Sequence, residues 1–238
     1  MTAILAIETA TEACSVAVFC AGQYRERHEL TPREHSQRLF TMLAELLAGG
    51  ELRSQGIDGI AYGCGPGSFT GLRIAASAVQ GLAYTSGLPA LPVSTLACQA
   101  QTALRLGLVD NGSTVLSTLD ARINEVYCAV YGFEQGLAVL REGPVACAPA
   151  QLDPSWLGGG SGQHAVGSGC RFVQEFPAAL RNGLASTSPD LLPAARDLVP
   201  LALEKLRCGE TQSPQQVQPV YVRDEISWKK LSEQGKRP

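Results

Sequence analysis

Between Tyr62 and Arg73 the chain reads Tyr-Gly-Cys-Gly-Pro-Gly-Ser-Phe-Thr-Gly-Leu-Arg, four glycines and a proline between a short apolar run and a stretch of small residues. Glycine lets a backbone approach another group closely, and the start of a helix presents N–H groups that suit an anion. Phosphate binding is the chemistry such a stretch would do. Neither common phosphate fingerprint fits. A P-loop needs Gly-x-x-x-x-Gly-Lys-Ser/Thr, and this stretch has no lysine. A dinucleotide site needs Gly-x-Gly-x-x-Gly. Gly63 and Gly65 supply the first pair, and Pro66-Gly67-Ser68 breaks the rest. Two readings remain: a weak anion site, or a sharp turn into a helix that packs closely on a neighbour. The following residues favour the second. Ala75, Ala76, Ser77, Ala78, Gly81 and Ala83 are all small. Gly81 costs a helix about 1 kcal/mol relative to alanine, which argues for a packing reason.

The other chemistry-bearing residues are sparse. Glu8-Thr9-Ala10-Thr11-Glu12-Ala13-Cys14-Ser15 sets an acid and hydroxyls between two strand-like runs. Actin-like ATPases and sugar kinases handle phosphates at that position, and a hydroxyl-rich hairpin turn has the same composition. The histidines, His28, His35 and His164, form no helical pair, and neither His-Glu-x-x-His nor Gly-x-Ser-x-Gly occurs. Asp120-Ala121-Arg122 with Glu125 reads as a charged turn or an ion-pair network between strands. The eight cysteines include no Cys-x-x-Cys pair, so they read as reduced thiols rather than a zinc site.

The bulk properties narrow the class. At 238 residues, 45% hydrophobic and 17% charged, the chain is an ordinary globular sequence, one domain or two small ones. A net charge of −3 argues against a protein that holds nucleic acid by itself, because that binding rests on Lys and Arg neutralising phosphates. The start has no basic, apolar leader and no run is long enough to span a bilayer, so the expected location is cytoplasmic and no membrane is engaged.

The elements that must position these residues follow from periodicity. Ala3 to Glu8, Cys14 to Phe19 and Tyr24 to Leu30 read as a three-strand meander. A helix from about 32 to 48 follows, with Thr31 as N-cap, Pro32 at the first position and Glu34 closing a capping box. Leu39, Met42, Leu43, Leu46 and Leu47 make its apolar stripe, and Gly49-Gly50 stops it. Ile57 to Tyr62 is a fourth strand, 69 to 86 a second helix stopping at Gly87, and Ala90 to Val93 a fifth strand. The second half repeats the order more weakly. Its strands are Thr114 to Leu119, Val126 to Tyr131 and Leu137 to Arg141, with a short one at Ala165 to Gly167. A short helix spans Phe172 to Leu180, and a clearer one spans Arg196 to Cys208 with Gly209 as its stop. Residues 223 to 238 carry five basic residues against three acids, too small a surplus for a nucleic-acid arm.

Six blocks together resemble the TsaB (YeaZ) family: residues 4–17, Pro32-Arg33-Glu34-His35-Ser36, Gly65 to Ile74, Val93-Ser94-Thr95-Leu96, Asp120-Ala121-Arg122 and Trp228-Lys229-Lys230. The resemblance covers nearly the whole chain, and Gly-Pro-Gly-Ser-Phe-Thr-Gly-Leu-Arg is its most specific block. It implies an α/β, two-lobed actin-like (sugar-kinase/chaperone/actin) fold, each lobe ribonuclease H-like and the second reduced. The lobes would span 1–108, carrying the partner-binding helices, and 109–238, ending in a basic tail. The family supplies a non-catalytic subunit for making threonylcarbamoyladenosine beside the anticodon of tRNA.

The resemblance further implies a heterodimer with TsaD, a ternary complex with the ATPase TsaE, a homodimer when alone, and contact with tRNA only through the complex. No cofactor or metal is expected. TsaD carries a His-x-x-x-His metal pair whose positions here are Thr95 and Gln99, and near the place of its later Asp this chain has Arg196-Asp197, read as an acid without partners. The two N-terminal helices would pair with their counterparts in TsaD through Leu39, Met42, Leu43, Leu46, Phe69, Leu72, Arg73, Ala76 and Val79. The alternative is a metal-dependent glycoprotease-like hydrolase or an actin-like ATPase.

Overall fold

The computed structural model of the protein describes residues 2–47, 49, 52–158 and 162–223. Gly50, Trp228-Lys229-Lys230 and the tail beyond Arg223 lie outside the described residues. The first half runs β1 (Ile4–Glu8), β2 (Ala13–Cys20), β3 (Gln23–Leu30), α1 (His35–Leu46), β4 (Gly59–Gly65), α2 (Phe69–Ser86), β5 (Ala90–Ser94) and α3 (Thr95–Arg105). The second runs β6 (Thr114–Arg122), β7 (Glu125–Glu134), β8 (Leu137–Cys147), β9 (Gln163–Val166), α4 (Ala178–Gly183), β10 (Ser186–Ser188) and α5 (Ala195–Cys208).

Two five-stranded sheets result, ordered β3-β2-β1-β4-β5 and β8-β7-β6-β9-β10. The order is the same in both. The first strand pairs antiparallel with the second and parallel with the fourth in each sheet. The second half is the reduced one. Short 3-10 turns at Pro149–Gln151 and Pro154–Leu157 stand where the first half has α1.

The layers explain the patterning. Leu5 and Ile7 of β1 pack toward α1 and α2, while Ile4 and Ala6 pack toward α5. Both faces of β1 are therefore covered, and it reads as a continuous apolar run. The closing helices are exchanged. α3 follows the first sheet in sequence, yet Leu96, Ala97, Ala100 and Ala103 pack on the second. α5 follows the second sheet, yet Ala195, Leu198, Val199 and Ala202 pack on the first.

The expected start and cap of the first helix are corrected. The first helix starts at His35, with Glu34 as N-cap and no side-chain cap. Pro32 and Arg33 instead form a tight turn closed by Glu34 N–H to Thr31 O at 3.0 Å, and Arg33 takes φ 70°, which no helix interior accepts. The Thr31 hydroxyl has no hydrogen-bond partner among the described residues. Helix α3 and strand β10 carry no sequence expectation. α3 carries an apolar stripe, Leu96, Ala97, Ala100 and Ala103, and every residue from Thr95 to Ala103 is buried between the sheets. Gly81 has no packing role within the chain. Its Cβ position faces open space.

Candidate functional site

Within the chain the glycine-rich stretch has a neighbour close enough to account for its glycines. It approaches the chain's own β1–β2 loop. Ser68 N–H donates to Ala10 O at 2.7 Å, and the Thr9 hydroxyl donates to Gly71 O at 2.8 Å. A Cβ on Gly67 would stand 2.6 Å from Ala10 O, and one on Gly71 would overlap Thr9 O. Gly65 has φ 123°, and its Cβ would meet Val220 O at 2.6 Å. Ser68 caps α2 by accepting from Gly71 N–H. Backbone carbonyls and the Ser68 hydroxyl therefore occupy the approach an anion would use at this helix terminus.

Glu8 lies beneath this contact, fully buried. One carboxyl oxygen accepts from Ala10 N–H at 2.7 Å. Among the described residues the other makes no hydrogen bond of ordinary geometry, and neither does the nearby Thr95 hydroxyl. Gly63 is glycine because a Cβ there would overlap this carboxyl. Burial dominates its titration. It outweighs the Ala10 N–H and the weaker pull of Thr95 and pushes the carboxyl from 4.5 up to about 7. Between those values the folded chain keeps a proton that the unfolded chain has lost. Stability therefore falls as pH rises across that window. Glu8→Gln keeps the acceptor for Ala10 and removes the charge. It is expected to raise stability by about 2 kcal/mol at pH 8 and to change little below pH 4.5. Thermal melts at the two pH values check this, and equal shifts at both would refute it.

Thr95 and Gln99, which the resemblance sets at the positions of a metal pair, do not fit a metal. Thr95 is fully buried with an unbonded hydroxyl. Gln99 spends its amide on the fold, donating to Leu191 O at 2.9 Å and accepting from the Ser117 hydroxyl at 3.1 Å. Neither residue offers the imidazole or carboxylate that a divalent cation wants. Among the described residues no three His, Cys, Asp or Glu side chains converge. Asp197 is not the partnerless acid expected. It accepts both arms of Arg105, from Nε at 2.7 Å and Nη2 at 2.9 Å, tying α5 to α3. Asp120 and Arg122 form a charged hairpin turn, and Glu125 pairs with Arg223.

The expected partner residues divide into two groups. Leu39, Met42, Leu43, Leu46, Leu72, Ala76 and Val79 face the lobe's own core. An amphipathic helix has one apolar stripe, and here the sheet takes it. Burying each large side chain contributes about 2 kcal/mol to the lobe, so none is free to leave for a partner. Ala78 is also nearly buried. Phe69 and Arg73 do face outward, Phe69 being 50% exposed. They line an open groove between α1 and α2 with Ser36, Phe40, Ile74 and Ser77. Phe40, 59% exposed, was missed. Its signal was an aromatic on the helix's polar side.

Residues 212–223 border this groove. Val220 N–H donates to Cys64 O at 2.8 Å, Gln80 donates to Val217 O at 3.1 Å, and the Tyr62 hydroxyl donates to Gln212 at 2.8 Å. Residues 212–223 thus form a strap over β4 and α2, and Tyr221 stacks on Phe69 with ring centroids 5.6 Å apart.

These features define a two-lobed, actin-like α/β protein whose first phosphate-loop position is filled by its own backbone. The family described as TsaD, tRNA N6-adenosine threonylcarbamoyltransferase, matches residues 28–228. The tRNA threonylcarbamoyladenosine biosynthesis protein TsaB of Escherichia coli (strain K12) is 41% identical over 237 residues, 96% of this chain and 97% of its own. Its namesake in Haemophilus influenzae is 35% identical over 238 residues, 96% of each chain. The solved structure of YeaZ from Pseudomonas aeruginosa superposes with a TM-score of 0.82 at 36% identity, covering 93% of this chain and all of that one. The chain belongs to the TsaB (YeaZ) branch of the TsaD family. Among the described residues, no helix is long and apolar enough to cross a membrane.

Proposed function

We propose that this chain is a non-catalytic subunit in tRNA threonylcarbamoyladenosine synthesis, working in the cytoplasm, that pairs with a TsaD-family enzyme and serves with TsaE in a ternary complex. Its lobe 1–108 presents the partner face, and lobe 109–238 supports it from behind through α5 and the strap. The single observation that carries the reading is the contrast between two places. Where the enzyme has a metal pair, this chain has Thr95 and a Gln99 amide bonded into its own fold. On the outer side of α1 and α2 it exposes Phe40 and Phe69 beside a groove. Exposed aromatics at a groove are what a protein interface recruits. The same face would pair two copies when the partner is missing, because a surface that fits a paralogue can fit itself. With a net charge of −3, tRNA would be reached through the complex.

Reconstitution tests the reading. With the TsaD-family subunit, TsaE and the enzyme that makes the threonylcarbamoyl adenylate, tRNA modification should require this chain. Ser77→Arg, at an exposed groove position, should abolish co-elution with the TsaD-family subunit and modification together while leaving the melting curve unchanged. Modification that proceeds at full rate without the chain would refute it.

A further inference from the structure

We infer that Arg73 is the charged anchor of this face, pre-set by Phe69 and Tyr221 to receive a carboxylate from the helical partner. The inference rests on the pairing role proposed above and adds what the partner must bring. The Arg73 guanidinium lies over the Phe69 ring, 3.9 Å from its centroid. Its Nε donates to the Tyr221 hydroxyl at 3.2 Å. Those contacts use the ring-facing side and one donor. The two terminal nitrogens have no hydrogen-bond or ion-pair partner among the described residues, although the side chain is exposed at the rim of the groove. Other arginines of the first half are spent differently. Arg38 pairs with Glu29 at 2.7 Å and Arg27 with Glu45 at 2.8 Å, both within the chain.

A planar guanidinium with its terminal fork open matches a carboxylate in a bidentate pair. Stacking removes rotamer freedom before binding, so less entropy is lost on association. Tyr221 reaches Arg73 only because the strap is pinned to Cys64, Gln80 and Tyr62. Residues about 150 positions apart in sequence thus build one anchor. The occupant is a protein carboxylate rather than a phosphate, because the groove beside Arg73 is lined by Phe40, Phe69, Ile74 and Ala78. Aromatic and arginine anchors next to apolar pockets are the usual centres of binding energy in protein interfaces.

The test uses the full chain and the TsaD-family subunit of the same organism, titrated by calorimetry, with melting curves to confirm folding. Arg73→Lys keeps the charge but loses the fork and is expected to weaken binding about tenfold. Tyr221→Ala should weaken it about tenfold and Tyr221→Phe, which keeps the ring, only about threefold. Raising salt should weaken the parent pair more than the Arg73→Met pair. Arg73→Lys binding within twofold of the parent, with the salt response of Arg73→Met unchanged, would overturn the inference. So would intact pairing together with loss of tRNA binding by the assembled complex, which would assign Arg73 to a phosphate. Ser77→Arg separates the two failures. If it leaves pairing intact, the face itself is wrong. If it abolishes pairing while Arg73→Lys does not, only the anchor is wrong.

Discussion

Gly71→Ala is expected to destabilise the protein by about 3 kcal/mol and lower its melting temperature by about 6–12 °C. Propensity alone predicts the opposite, since alanine in a helix is favoured over glycine by about 1 kcal/mol. Gly71 does not sit in the left-handed region, so its own backbone does not demand glycine. Its surroundings do. A Cβ there would overlap Thr9 O, a backbone atom that cannot swing aside like the end of a side chain. Relieving the overlap separates α2 from the β1–β2 loop and strains the bonds from Thr9 to Gly71 O and from Ser68 to Ala10 O. Gly81→Ala is the internal control. It lies in the same helix with open space at its Cβ and should stabilise by about 0.5–1 kcal/mol. Urea denaturation of both variants decides the matter. If the two shifts share a sign, close packing is not what selects glycine at position 71.

The second large effect is at the helix pair between the sheets. Arg105→Ala should cost about 3 kcal/mol, because it leaves the buried Asp197 carboxylate without its partner. Arg105 is one-third exposed, which places the loss at the lower end for buried pairs. Removing both charges should hurt less than removing one. Arg105→Met with Asp197→Leu replaces the pair by apolar bulk and should recover most of the loss, since a buried ion pair is often no better than a well-packed apolar one. A double-mutant cycle measures this. Additive single and double losses would mean that the two side chains do not act as a pair.

What was legible in the sequence follows from which signals are local. The first sheet and α2 were readable because their punctuation is self-contained. Gly87 and Gly209 end their helices in the left-handed conformation, as their positions indicated. α3 has a stripe of the right period, but it is built mostly of alanines and runs straight on from β5 through Ser94, so no turn residue marks its start. The start of α1 was misplaced because Pro32 suits a turn as well as a helix terminus, and only the φ of Arg33 separates them. The partner residues were drawn from the apolar stripe, which the core claims first. Exposure depends on what lies opposite, and no local pattern reports it. Asp197 reads as unpartnered in the sequence because Arg105 is remote and meets it only once α3 and α5 cross.

The exchanged closing helices also bear on how the molecule is made. A nascent chain that has released residues 1–108 still lacks α5, so Ile4, Ala6, Leu91 and Val93 stay open to solvent on one side of the first sheet. That sheet closes only after residues 195–208 leave the ribosome, and Tyr221 reaches Phe69 later still. The two halves therefore cannot mature one after the other in the usual vectorial order. The groove face around Phe69 is completed by the last part of the strap to be synthesised, so a half-made chain lacks it.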